Sequence, residues 1–135
     1  MSVDEGSASG GPADPAAVVG RFVAAWEAND PEAIVSCFAE DAVWYDGYPA
    51  GRTSGTEAIR AQLERYSRHI SEIAIEVVHQ AVDGDVVFQE RVDRGRRDGV
   101  EFEVAAVCLF RVVDGLIAEN RDYWNPGAYR APRPA

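Results

Sequence analysis

The chain has 135 residues, 47% of them hydrophobic, which is enough for one domain with a real core. Its 23 acidic and 13 basic side chains leave a net charge of -10, which argues against nucleic acid or an anionic membrane surface as a partner. A small neutral or cationic ligand is easier to accommodate.

Residues 1–13 are small and polar, cannot bury enough surface to fold, and are expected to form a disordered tail. Asp14-Pro15 then supplies an N-cap and a proline for the first helical turn. Val18, Val19, Phe22, Val23 and Trp26 recur at helical spacing and predict an amphipathic helix ending near Asn29. Asp30-Pro31-Glu32 repeats the cap chemistry, with Ile34, Val35 and Phe38 as the apolar stripe of a second helix. Ala42 to Tyr45 reads as a short strand ended by Gly47 and Pro49. Thr56 is the expected cap of a third helix through Ile59, Leu63 and Tyr66. Four longer strands are expected at about 72–80, 86–93, 100–112 and 116–124, joined by turns at Asp83-Gly84, Asp98-Gly99 and Asp114-Gly115. Helices segregated against a curved antiparallel sheet make an α+β fold, with one domain over 14–127 and a C-terminal tail at 128–135.

The two cysteines, Cys37 and Cys108, lie in apolar runs with no metal-binding spacing and read as small buried hydrophobes. No phosphate loop, dinucleotide fingerprint or metal-ligand cluster is visible, so neither cofactor nor metal is expected. No basic-then-apolar leader and no run of ~18–20 apolar residues is seen, so a cytoplasmic setting is expected. His69 and His79 read as structural. Arg94, Arg96 and Arg97 read as a solvated hairpin tip, with a substrate carboxylate or a partner as the other reading.

Chemistry is expected where charge meets an apolar strand face. In the run from Val86 to Asp93, alternation puts Val87, Gln89, Arg91 and Asp93 on one side. Arg91 and Asp93 are then neighbours, close enough for a charge-assisted hydrogen bond. Asp122 shares a face of its own strand with Ala118, Asn120 and Trp124. If both faces look inward, two carboxylates flank one guanidinium; one resists ionising while the cation stabilises the other. That is the raw material for giving a proton to one atom and taking one from its neighbour. The competing reading is a solvated ion pair on an open sheet. Asp46 is a further candidate, either a turn residue before Gly47 or a carboxylate at the pocket mouth beside Trp44 and Tyr48. Phe22 and Trp26 of the first helix, with Gln89, Asn120 and Trp124 of the strands, complete the expected substrate wall.

The order of a helix, Asn-Asp-Pro-Glu-Ala-Ile, Cys-Phe-Ala-Glu-Asp-Ala-Val, a helix over Ala-Ile-Arg, and a meander closing on Arg-Asp-Tyr-Trp resembles the nuclear transport factor 2-like, or SnoaL-like, superfamily over about residues 15–127. The resemblance implies a cone-shaped α+β barrel around a deep pocket and a homodimer through the outer sheet face. Within it, Glu-Arg-Val-Asp at 90–93 and Arg-Asp-Tyr at 121–123 look most like the limonene-1,2-epoxide hydrolase family. That likeness implies one-step epoxide opening by water, with Asp93 as acid, Asp122 as base and Arg91 bridging them. Trp44 and Asp46 stand where that family places a water-positioning Tyr and Asn. Asp46 also resembles the general base of ketosteroid isomerases, although Phe22 and Ala106 occupy the places of their oxyanion donors. The expectation is therefore an epoxide hydrolase, with an isomerase or a polyketide or polyether cyclase as one alternative. A non-catalytic ligand-binding or dimerisation module is the other.

Overall fold

The computed structural model describes residues 14–124, so the expected tails and the end of the domain at residue 127 lie outside the described residues. Three helices precede or interrupt six strands. They are α1 (Pro15–Glu27), α2 (Pro31–Val35), β1 (Phe38–Asp46), β2 (Arg52–Ser54), α3 (Thr56–His69), β3 (Ile70–Asp83), β4 (Val86–Arg97), β5 (Val100–Val113) and β6 (Leu116–Tyr123). The caps of the first two helices are those expected. Asp14 accepts from the Ala17 amide at 3.1 Å and Asp30 from the Ala33 amide at 3.2 Å, each followed by proline.

Some local expectations need correction. Phe38 opens β1 rather than closing α2, because the short helix ends at Val35 and the chain turns directly into the sheet. Thr56 is the first residue of α3 and Gly55, at φ +88°, is its cap, a conformation that suits glycine. The short β2 was not expected.

The sheet order is β2-β1-β6-β5-β4-β3, with β1 and β6 parallel and every other neighbour antiparallel. The sheet is open, with β2 and β3 at its edges, rather than a closed barrel. The hairpins turn tightly. Asp98-Gly99 and Asp114-Gly115 both take positive φ, as the right-handed twist of the flanking strands requires. The first turn is Gly84-Asp85, one residue later than expected, since Asp83 pairs with Val86. Two register shifts in β3, between Ser71 and Ala74 and between Val77 and His79, interrupt its ladder with β4.

One sheet face carries the core. On β4, Val87, Gln89 and Arg91 are buried while Phe88 and Glu90 are exposed. On β5, Ala106, Cys108, Phe110 and Val112 turn inward. Phe22 of α1 meets Phe38 and Phe110 edge-on, each at 5.4 Å between ring centroids. Ile59 and Leu63 of α3 and Ile34 of α2 complete this layer.

The turn after β1 sets the position of its last residue, Asp46, whose amide donates to the Gly51 carbonyl at 3.0 Å. Gly51 has φ +70°, and a Cβ there would run into the Asp46 carbonyl. Gly51→Ala should therefore cost about 2–4 kcal/mol of stability, combining a left-handed backbone with a clash against main chain. A chemical denaturation midpoint equal to that of the parent would show that the turn yields freely.

Candidate active site

A cavity of about 150 Å³, open at its mouth, lies between the inner sheet face and helices α1 and α3. Its walls are largely apolar, with Phe22, Trp26, Trp44 and Trp124 on one side and Ile73, Ile75 and Val104 on the other. Four charged groups of interest reach it: Arg91, Asp93, Asp46 and Asp122.

Arg91 and Asp93 share the inner face of β4, as alternation requires. Arg91 is 7% exposed and grips Asp93 with two bonds, Nε to Oδ1 at 3.1 Å and Nη2 to Oδ2 at 2.7 Å. Burial works against the guanidinium charge, and Cys108, Asp93 and Asp122 around it more than offset that, so Arg91 stays charged. Its Nη1 is buried without a hydrogen-bond partner. The expected bridge is therefore half present, because Arg91 bonds Asp93 but not Asp122. Between them runs β5, where small residues are the register partners, Ala106 of Arg91 and Cys108 of Asp122.

Asp122 is held by neutral donors instead. Trp44 Nε1 donates to Oδ2 at 2.9 Å and Asn120 Nδ2 to Oδ1 at 3.0 Å. Burial raises its proton affinity above that of an ordinary carboxylate. Arg91, the Trp44 bond and Cys108 oppose this shift, and Asp46 adds to it. The Cys108 thiol is itself pushed well up, by burial first and then by Asp122, and is neutral.

Asp46 is the register partner of Asp122 across the parallel β1–β6 pair, just as Trp44 is of Asn120. This pairing produces a crossed arrangement. Trp44, two residues before Asp46, bonds Asp122; Trp124, two residues after Asp122, bonds Asp46 Oδ1 at 2.9 Å. The Tyr66 hydroxyl donates to the other Asp46 oxygen. Burial and Asp46 push the Tyr66 phenol up, so it acts as a neutral donor.

Phe22, Trp26, Trp44 and Trp124 thus line the cavity as expected, together with all four charged candidates. Three expected lining residues do not. Gln89 is buried beside Gln80, to which its amide donates at 2.8 Å. Asn120, 1% exposed, stands behind Asp122 and also donates to the Leu109 carbonyl at 3.3 Å. Tyr48 packs against Tyr45 and Tyr123, with the Arg121 guanidinium 4.7 Å from its ring centroid. It follows Tyr123 to the opposite face because the turn after β1 carries it past the edge of the cavity. The contribution of Tyr66 was not anticipated. The available signal was its position with Ile59 and Leu63 on the buried face of α3, where a phenol needs a partner for its hydroxyl. Ile70 and Phe102 were missed as well, entering from β3 and β5 ends that only the tertiary fold brings together, whereas Arg97 of the expected basic tip lines the cavity from the end of β4. No cluster of potential metal ligands occurs among the described residues, and no helix there is long and apolar enough to cross a membrane.

Comparison with known proteins matches residues 19–120 to the SnoaL-like domain family. Among solved structures, a hypothetical protein from Catenulispora acidiphila with a ketosteroid isomerase-like fold, in complex with trimethylamine, is 26% identical, with a TM-score of 0.73 over 81% of this chain and 85% of that one. An LEH-like epoxide hydrolase of M. tuberculosis is 23% identical, with a TM-score of 0.72 over 80% of each chain. SalBIII, an epoxide hydrolase/cyclase-like enzyme with a role in pyran ring formation in the polyether salinomycin, is 21% identical, with a TM-score of 0.76 over 87% of this chain and 95% of that one. At such identities these likenesses speak for the fold, which can host many reactions. The match across most of the chain places it in a family: this protein is a member of the SnoaL-like, nuclear transport factor 2-like, domain family.

Proposed function

We propose that the protein opens an epoxide of a hydrophobic small molecule by general acid–base catalysis. The observation that carries this reading is the pair of carboxylates on one apolar cavity whose surroundings differ in opposite ways: Asp93 faces a buried cation, Asp122 faces only neutral donors and burial. Asp122, with its raised proton affinity, takes a proton from water as the water oxygen bonds to one ring carbon. The ring C–O bond breaks, and Asp93 delivers its proton to the departing oxygen. Arg91 stands against the anion that Asp93 then becomes. On this reading the Asp93 carboxylate paired with Arg91 is the form that follows proton delivery. The proton gained by Asp122 returns to Asp93 before the next turnover, so the sum is epoxide plus water to diol.

Trp44 donates to Asp122, so it orients the base rather than the water. An internal hydroxyl of the substrate could take the place of water, giving a cyclic ether by the same proton transfers. The isomerase reading is weaker. Both Asp46 oxygens are already occupied by Tyr66 and Trp124, and Phe22 and Ala106 offer no donor to an oxyanion. A homodimer forms part of the proposal, supported by Phe88, Val107 and Tyr123, which are exposed on the outer sheet face. Sedimentation should give twice the chain mass of 14.7 kDa, and a monomer at micromolar concentration would remove this element.

Incubation with a panel of terpene and polyketide-like epoxides in ¹⁸O-labelled water should give labelled diol. Asp122→Asn should lower turnover by about 10²–10⁴-fold, the usual weight of one proton transfer. Asp46→Asn should retain most of it. Undiminished turnover in Asp122→Asn would refute the assignment, and unlabelled cyclic product would move the reaction to internal opening.

The raised proton affinity of Asp122 also fixes a sign. Between its unfolded and folded values the folded chain binds the extra proton, so stability falls as pH rises through that window. Asp122→Asn removes this effect. The melting temperature of the variant relative to the parent should therefore increase from pH 4 to pH 7. A difference independent of pH would show that Asp122 ionises as freely as in the unfolded chain.

A further inference from the structure

Arg97 ends β4 on the strand face that carries Arg91 and Asp93, and it lines the mouth of the cavity. Its basic neighbours are neutralised by acids. Arg94 donates to Glu76 at 3.0 Å and to Glu103 at 3.1 Å, and Arg96 reaches Glu101 at 3.2 Å and Glu72 at 3.3 Å. Asp98, next in the chain, meets His69 at 2.8 Å instead. Among the described residues the Arg97 side chain makes no hydrogen bond or ion pair, although its charge acts on the Tyr66 phenol inside the cavity. Between Arg97 and the acids the wall is apolar, formed by Ile70, Ile73, Ile75, Phe102 and Val104.

We infer that the cavity takes an amphipathic acid, with an apolar chain inside and a carboxylate held by Arg97 at the mouth. The inference deepens the epoxide-opening reading and rests on it for the reacting group alone. Asp93 and Arg97 are four residues apart on one strand, roughly 13 Å at ~3.3 Å per residue, which sets the span between the carboxylate and the reacting carbons. The opposite orientation would push the carboxylate against Asp46, Asp93 and Asp122, three acids beside the single cation Arg91, which Asp93 already engages. The net charge of -10 repels an anion at a distance. That field is screened beyond about 8 Å at physiological salt, and within this range the guanidinium governs. A planar guanidinium also fits a carboxylate with two parallel bonds, which a lysine could not offer.

The test compares decanoate with decan-1-ol, which share a tail and differ in the head group. Trp26, Trp44 and Trp124 line the cavity, so their fluorescence reports binding to the full chain without any reaction. The parent should bind decanoate about fivefold more tightly than decanol, a preference of the size expected for a partly exposed ion pair. Added salt should shrink it. Arg97→Gln should bind decanol as the parent does and lose the preference, whereas Arg96→Gln should keep it. Equal affinities in the parent, or a preference that survives in Arg97→Gln, would overturn the inference. Turnover of 9,10-epoxydecanoate and its methyl ester separates the two readings. A decanoate preference without turnover of either compound leaves the anion contact standing and removes the epoxide chemistry. Equal turnover of both without a decanoate preference does the reverse.

Discussion

A guanidinium buried in the wall of an otherwise apolar cavity sets the terms for the structure around it. Taking such a charge out of water costs several kcal/mol unless geometry and hydrogen bonds compensate. Arg91 donates two bonds to the Asp93 carboxylate, which sits beside it because both lie on one face of one strand. The requirement passes outward from there. β4 has to be internal to the sheet, with β3 and β5 on its two sides, and its face cannot slip by one residue without exposing Val87 and burying Phe88. β5 has to present small side chains opposite the guanidinium, and Ala106 and Cys108 do so.

The acids across the cavity are fixed by a different device. Indole and amide donors hold Asp122 and Asp46 without adding a charge and without titrating themselves. Around these acids, away from the mouth, the charges are one cation, Arg91, and three carboxylates. With all of them ionised the cluster carries two excess negative charges in a low-dielectric space, a state that favours retention of a proton. Burial and the proximity of Asp46 place that tendency on Asp122. Asp93 and Asp122 thus differ in their partners rather than in their side-chain type.

Much of this architecture can be read from the residues. Alternation along Val86–Asp93 gave the correct inward face, and three Gly-containing turns located the hairpins to within a residue. Asp-Pro pairs marked the starts of α1 and α2. The expectations that failed depended on packing rather than pattern. Gln89 and Asn120 face inward as alternation demands, yet neighbouring strands claim their amides before the cavity does. Tyr48 follows a turn whose direction periodicity does not encode. Tyr66 was placed on the correct helix face, while its partner Asp46 lies twenty residues away on a different element. Arg97 reads as part of a basic tip until the acids that neutralise Arg94 and Arg96 are identified on other strands.

The crossed indole bonds also bear on how the chain reaches this state. Each joins residues 78 apart, across a parallel pair that no hairpin can zip together. The β3–β6 meander forms from neighbours in sequence, whereas β1 reaches β6 only after a long loop has closed, a search whose entropy is paid before any contact repays it. The contacts that bury Asp46 and Asp122 are thus among the most non-local in the chain. A cut between α3 and β3 would part Asp46 from Asp122 and leave the inner face of the meander without the helices that cover it.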